Sequence, residues 1–241
     1  MTGPPILFAG PSLWGTPLPP AIDLRPPARC GDILRAAAAR PSAIGLVDGV
    51  FEQGPSVWHK EILAVLAAGI PVWGAASLGA LRAAEVAGMT GIGEIYAGYR
   101  DGRLTRDDAV MVSHAPAALG HRPLTLALVD AEAALDACAM AAADRTLLRR
   151  IATAMNFRDR TWPAIAAAFH ARTGRPSPAW DETASLKRRD AMALVARLTR
   201  PPAALLPPPV VPPPPETVFL RALRARVAGD AIPSANAAPD I

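Results

Sequence analysis

The first third of this chain constrains its fold most, because short apolar runs alternate there with helix-forming stretches. Residues 6–9 (ILFA) run into Gly10-Pro11-Ser12, residues 43–47 (AIGLV) stop at Asp48-Gly49, and residues 70–74 (IPVWG) precede a turn of small residues. Residues 21–24 (AIDL) form a weaker run of the same kind. Between them lie three helical stretches: residues 31–40, with Asp32 in the first turn; residues 56–69, opened by Gly54-Pro55 and closed by Gly69; and residues 77–88, ending at Gly88. Continuous apolar strands separated by helices predict an α/β fold. Its parallel sheet, Rossmann- or flavodoxin-like, has helices on both faces.

Past Gly88 the pattern changes. Residues 91–108 read as a short helix and loop, and residues 109–116 (AVMVSHAP) as an edge strand. From Pro123 to Arg200 the helical period dominates, in stretches 124–144, 145–155, 161–173 and 185–198. Residues 201–215 (PPAALLPPPVVPPPP) can sustain neither helix nor central strand and predict a semi-rigid linker. Residues 216–229 form a last short helix, and residues 230–241 read as disordered. The expected organisation is an α/β core over 1–118, a helical lobe over 119–200 and a Pro-rich tail over 201–241.

Composition narrows the function classes. Aromatics are only 5% of the chain, too few for a base-stacking platform, and the net charge of +4 comes from arginines scattered among acids. Nucleic acid is therefore not an expected partner. No stretch approaches the length of about 18 apolar residues of a membrane span, and residues 1–15 lack the basic start of a secretory signal. Cys30 and Cys138 lie far apart, which gives no disulfide framework and no metal spacing, and fits a reducing cytoplasm. No metal or cofactor is expected: residues 10–15 (GPSLWG) are not a dinucleotide fingerprint, and a phosphate-binding P-loop is absent.

Ligands of such sheets bind outside the carboxyl ends of the strands. That rule gathers Gly10 and Ser12 after one strand, Asp48, Glu52, His59 and Lys60 after another, and Ser77, Gly79, Arg82 and Glu85 after a third. Residues 75–79 (AASLG) have the strand–turn–Ser–helix form of a nucleophile elbow, with Ala where the usual pattern has Gly. Ser77 is thus a nucleophile, part of an anion-binding helix start, or a helix cap. Arg82 and Glu85, three apart, are either an exposed pair or a charged pair that orders a site. His59 is a base or a core histidine beside Ile62, Leu63 and Leu66. Lys60, one of two lysines in the chain, becomes a base or nucleophile if desolvated. Glu61 is expected to face solvent. His114 and His121 are further sources of a base, and a Ser…Asp…His order favours one of them over His59.

Residues 48–63 (DGVFEQGPSVWHKEIL), 74–85 (GAASLGALRAAE) and 88–104 (GMTGIGEIYAGYRDGRL), in that order, resemble the TfuA-like family, and residues 8–13 (FAGPSL) and 25–34 (RPPARCGDIL) extend the likeness. Leu78 stands where the family often has Met. The resemblance implies an accessory protein of a YcaO enzyme, which uses ATP to activate a backbone amide. Such pairs are associated with thioamide formation in ribosomally made peptides and in methyl-coenzyme M reductase. It further implies that the protein supplies sulfide by hydrolysing a thiocarboxylated ThiS-like carrier protein. Ser77, His59, Lys60 and Asp48 would be the reacting residues, and Gly10, Ser12, Glu52, Gly79, Arg82 and Glu85 the binding ones. Partners would be the YcaO enzyme, the carrier and the precursor peptide. A non-catalytic scaffold or activator of the YcaO enzyme, and a small-molecule anion binder, are the alternatives.

Overall fold

The computed structural model describes residues 3–52, 54–200 and 210–230. The segments 201–209 and 231–241, and with them most of the Pro-rich stretch and the end expected to be disordered, lie outside the described residues. Five parallel strands, β1 (Ile6–Phe8), β2 (Asp23–Arg25), β3 (Ile44–Leu46), β4 (Val72–Ala75) and β5 (Thr90–Ile92), form one sheet in the order β2-β1-β3-β4-β5. This is the flavodoxin-like order, in which the direction of winding reverses between β1 and β3.

The central strands β1, β3 and β4 are buried on both faces, so they are apolar throughout, whereas the edge strands β2 and β5 are partly exposed. Ile6, Phe8, Ile44, Leu46 and Val72 pack with Ile33 of α1 (Asp32–Ala37) and Ile62, Val65 and Leu66 of α2 (His59–Ala67). Their alternates Leu7, Val47, Trp73 and Ala75 face the other way. They meet Ala191, Leu194, Val195 and Leu198 of α8 (Leu186–Leu198). The second face is therefore covered by a helix more than a hundred residues downstream in the chain. Helix α3 (Leu78–Glu85) follows β4, and α4 (Glu94–Arg100) follows β5. A third apolar cluster holds α5 (Leu128–Ala137), α6 (Ala142–Ala154) and α7 (Trp162–Thr173) together through Leu135, Leu148, Ile151, Ile165 and Phe169.

Several expectations need correction. β5 sits where a helix and loop are predicted: three residues flanked by glycine carry no apolar run to announce a strand. Residues 109–116 are not a strand; beyond a single bridge, His114 to Pro123, their apolar side chains pack rather than pair. The helix expected over 124–144 breaks after Ala137, where Cys138 is extended and Arg145 donates to the carbonyls of Leu135 and Cys138. α2 starts at His59, five residues after Gly54. The tail helix α9 (Val218–Asp230) forms and docks: Leu220 and Leu223 are buried, and Arg226 donates to Cys30 O at 3.2 Å. Among the described residues, no helix is long and apolar enough to cross a membrane.

Candidate functional site

The site is built at the point where the strand order reverses. Asp48 leaves β3 with its carboxylate buried, at 2% exposure. Its Oδ2 accepts the N–H of Gly10 at 2.8 Å and of Ser12 at 3.0 Å, and its Oδ1 accepts the Ser12 hydroxyl at 2.7 Å. The loop after β1 is thereby wrapped around an acid from β3. Gly10 is required by this closeness: a β-carbon there would stand 2.6 Å from Pro27 and 3.2 Å from His121. A buried charge needs a partner, and Asp48 has one in Lys187 of α8, whose Nζ lies 4.0 Å from Oδ1 and donates to Val110 O at 2.8 Å. The start of α8 is fixed by a second buried acid, Asp130, which accepts the Lys187 amide at 2.9 Å. Burial pushes the Asp130 carboxyl up, and the Lys187 charge and amide oppose that rise.

Ser77 sits across from this group on a strained turn. Its N–H closes a three-residue turn onto Ala75 O at 2.8 Å, with Ala76 in the left-handed region at φ 66. α3 must lie tight against the sheet here. A β-carbon on Gly79 would collide with Leu46 O, and one on Gly74 with Gly79 O. Gly79 therefore serves packing. Ser77 occupies the cap position of α3, but its hydroxyl makes no capping hydrogen bond. The anion-binding helix start is also weakened, because the amides of Ser77, Gly79 and Ala80 already donate to Ala75, Val47 and Ser77 carbonyls. What remains is a buried serine that, with Asp48, Lys187, His114, Glu52 and Arg158, lines a cavity of about 80 Å³. Glu52 and Arg158 are ion-paired across it, and both are exposed.

The other sequence-chosen residues gather elsewhere. His59 Nε2 lies 2.8 Å from Glu85, and Arg82 donates to Glu85 at 2.6 Å and to Val57 O at 2.9 Å. None of the three lines the cavity, and neither does Lys60. His59, about half exposed at 49%, is not a core histidine. Glu61 corrects the expectation of a solvent-facing side chain. It is fully buried and accepts the N–H of Gly31 at 2.9 Å and of Trp58 at 2.8 Å, joining the starts of α1 and α2. Burial pushes its carboxyl up to about 7 against the pull of those amides.

Sequence reasoning missed Lys187. One signal pointed to it, since only two of the 25 basic residues are lysines, and the other is Lys60. A family model described as TfuA-like protein matches residues 48–161. Over that span the chain is similar to TfuA-like proteins. The matched region contains Asp48, Ser77, His114 and Arg158, whereas Lys187, which also lines the cavity, and Gly10 and Ser12, which hold Asp48, lie outside it. No curated protein matches the chain. Among the described residues, no group of three or more His, Cys, Asp or Glu side chains could hold a metal.

Proposed function

We propose that this TfuA-like protein hydrolyses the thiocarboxylate of a ThiS-like sulfur carrier and hands sulfide to a partner YcaO enzyme for peptide backbone thioamidation. The observation that carries this reading is the meeting of Ser77, Lys187 and Asp48 in one cavity at the strand ends of a TfuA-like chain. The substrate is anionic, and the cavity offers it two cations, Lys187 inside and Arg158 at the mouth. Ser77 Oγ attacks the thiocarboxylate carbon while the Lys187 ammonium gives a proton to sulfur and regains one from the Ser77 hydroxyl. The C–S bond breaks and HS⁻ leaves, with the acyl group on Ser77. Water then cleaves the ester, giving a carboxylate, a proton and free serine. Asp48 positions Lys187 and is itself held by Gly10 and Ser12. The free cysteines Cys30 and Cys138 accord with a cytoplasmic setting.

The test is sulfide release from a purified thiocarboxylated carrier. Release by the native protein, abolished in Ser77→Ala and in Lys187→Met, supports the reading; undiminished release by both variants overturns it. One observation favours the non-catalytic alternative. The docked α9 leaves Val218 and Phe219 exposed, at 76% and 71%, as a surface a YcaO partner could cover. Thioamidation that still requires the protein when free sulfide is abundant would favour that role.

A further inference from the structure

Two histidines beside the cavity are unused in the hydrolysis above. His114 lines the cavity with Ser77 and Lys187. Its Nδ1 lies 2.8 Å from Ala115 O. A carbonyl oxygen only accepts, so Nδ1 carries the hydrogen and Nε2 keeps its lone pair. The ring is held in place from the other side by His121, edge-on with centroids 5.2 Å apart and planes at 70°. The loop that carries His114 is pinned by Ala115 N to Arg122 O at 2.8 Å and by Ser113 N to Thr125 Oγ1 at 2.7 Å. Burial, then the neighbouring His114, push the His121 imidazole down, against the pull of Asp48.

We infer that His114 Nε2 is the base that activates the water in the second half of the reaction, the release of the acyl group from Ser77. This assignment rests on the hydrolytic reading above. Once Lys187 has passed its proton to the departing sulfur, Ser77 is an ester and has no proton of its own to give. A water at the ester carbon then loses a proton to His114 Nε2 as its oxygen bonds to that carbon. The tetrahedral intermediate collapses, the C–Oγ bond breaks, and His114 returns the proton to Oγ. A carboxylic acid leaves and ionises in solvent, and both side chains regain their starting states.

The test follows sulfide and protein mass after mixing with a thiocarboxylated ThiS-like carrier. His114→Gln is expected to release one equivalent of sulfide per protein in a burst. It then slows by about 100-fold or more, with the carrier covalently attached to Ser77. His114→Ala is expected to behave likewise and to regain turnover with added imidazole. Steady release by His114→Gln within about threefold of the native rate overturns the assignment. So does a variant with no burst, no adduct and no imidazole rescue. Absence of release by the native protein overturns the hydrolytic reading itself, and the assignment with it.

Discussion

Two charged clusters grow from neighbouring stretches of this chain and end in opposite surroundings. Asp48 and Lys187 are nearly sealed from water, each with a side chain 3% exposed, and share a cavity with Ser77. His59 and Glu85 remain 49% and 37% exposed and pair with Arg82 on the surface. By sequence the second cluster is as good a site as the first. The difference is solvent. Exposed pairs are screened and contribute little, whereas a buried charge must be held by specific partners and acts strongly on whatever enters beside it.

The comparison can be broken by substitution. The largest expected effect is on chemistry: Ser77→Ala should lower sulfide release from a thiocarboxylated carrier by about 10³-fold, equivalent to about 4 kcal/mol. Asp48→Asn should come next. It strips the buried Lys187 of its counter-charge and should cost about 3 kcal/mol of stability, read as a shifted denaturant midpoint with unchanged slope. Native behaviour of either variant would place the cavity on a par with the surface cluster.

Glu61 tests burial without chemistry. Folded, it keeps its proton to about pH 7, against a reference value of 4.5. Between these values the folded state binds more protons than the unfolded one, so stability should fall as pH rises through that window. The fall should be no more than about 3 kcal/mol. Glu61→Gln should flatten this dependence. It should also cost about 1–2 kcal/mol at pH 5, because the NH2 that replaces a carboxyl oxygen cannot accept and leaves the N–H of Gly31 or of Trp58 without its acceptor. Denaturant titrations at several pH values read both effects.

The smallest effect is expected at the surface. His59→Ala should change stability by about 0.5 kcal/mol or less and leave sulfide release unaltered. A large loss of release in that variant would move the reacting group to the surface cluster.

The fold was largely legible because β1, β3 and β4 are buried on both faces and must be continuous apolar runs, with helices spaced between them. β5 was not, since an edge strand of three residues is held by its neighbour rather than by its own pattern. In the site, Asp48, Ser12 and Ser77 were legible from the rule that polar residues at strand ends face ligands. His59 and Lys60 follow the same rule along the chain. They lie on the opening turn of α2, off the cavity, because α2 starts only at His59 after a loop that takes it away from the strand end.

Taken alone, the sequence determined a parallel α/β sheet, its helix-covered faces, and a serine on a tight turn beside an acid at the strand ends. Those features are local: burial, period and turn chemistry write them into short stretches. Only the tertiary structure decided that α8 closes the second face of the sheet and thereby brings Lys187 to within 4.0 Å of Asp48. The two residues are 139 positions apart in the chain. No local preference encodes such a meeting; it comes from burying Leu194, Val195 and Leu198 against Leu7, Val47 and Trp73.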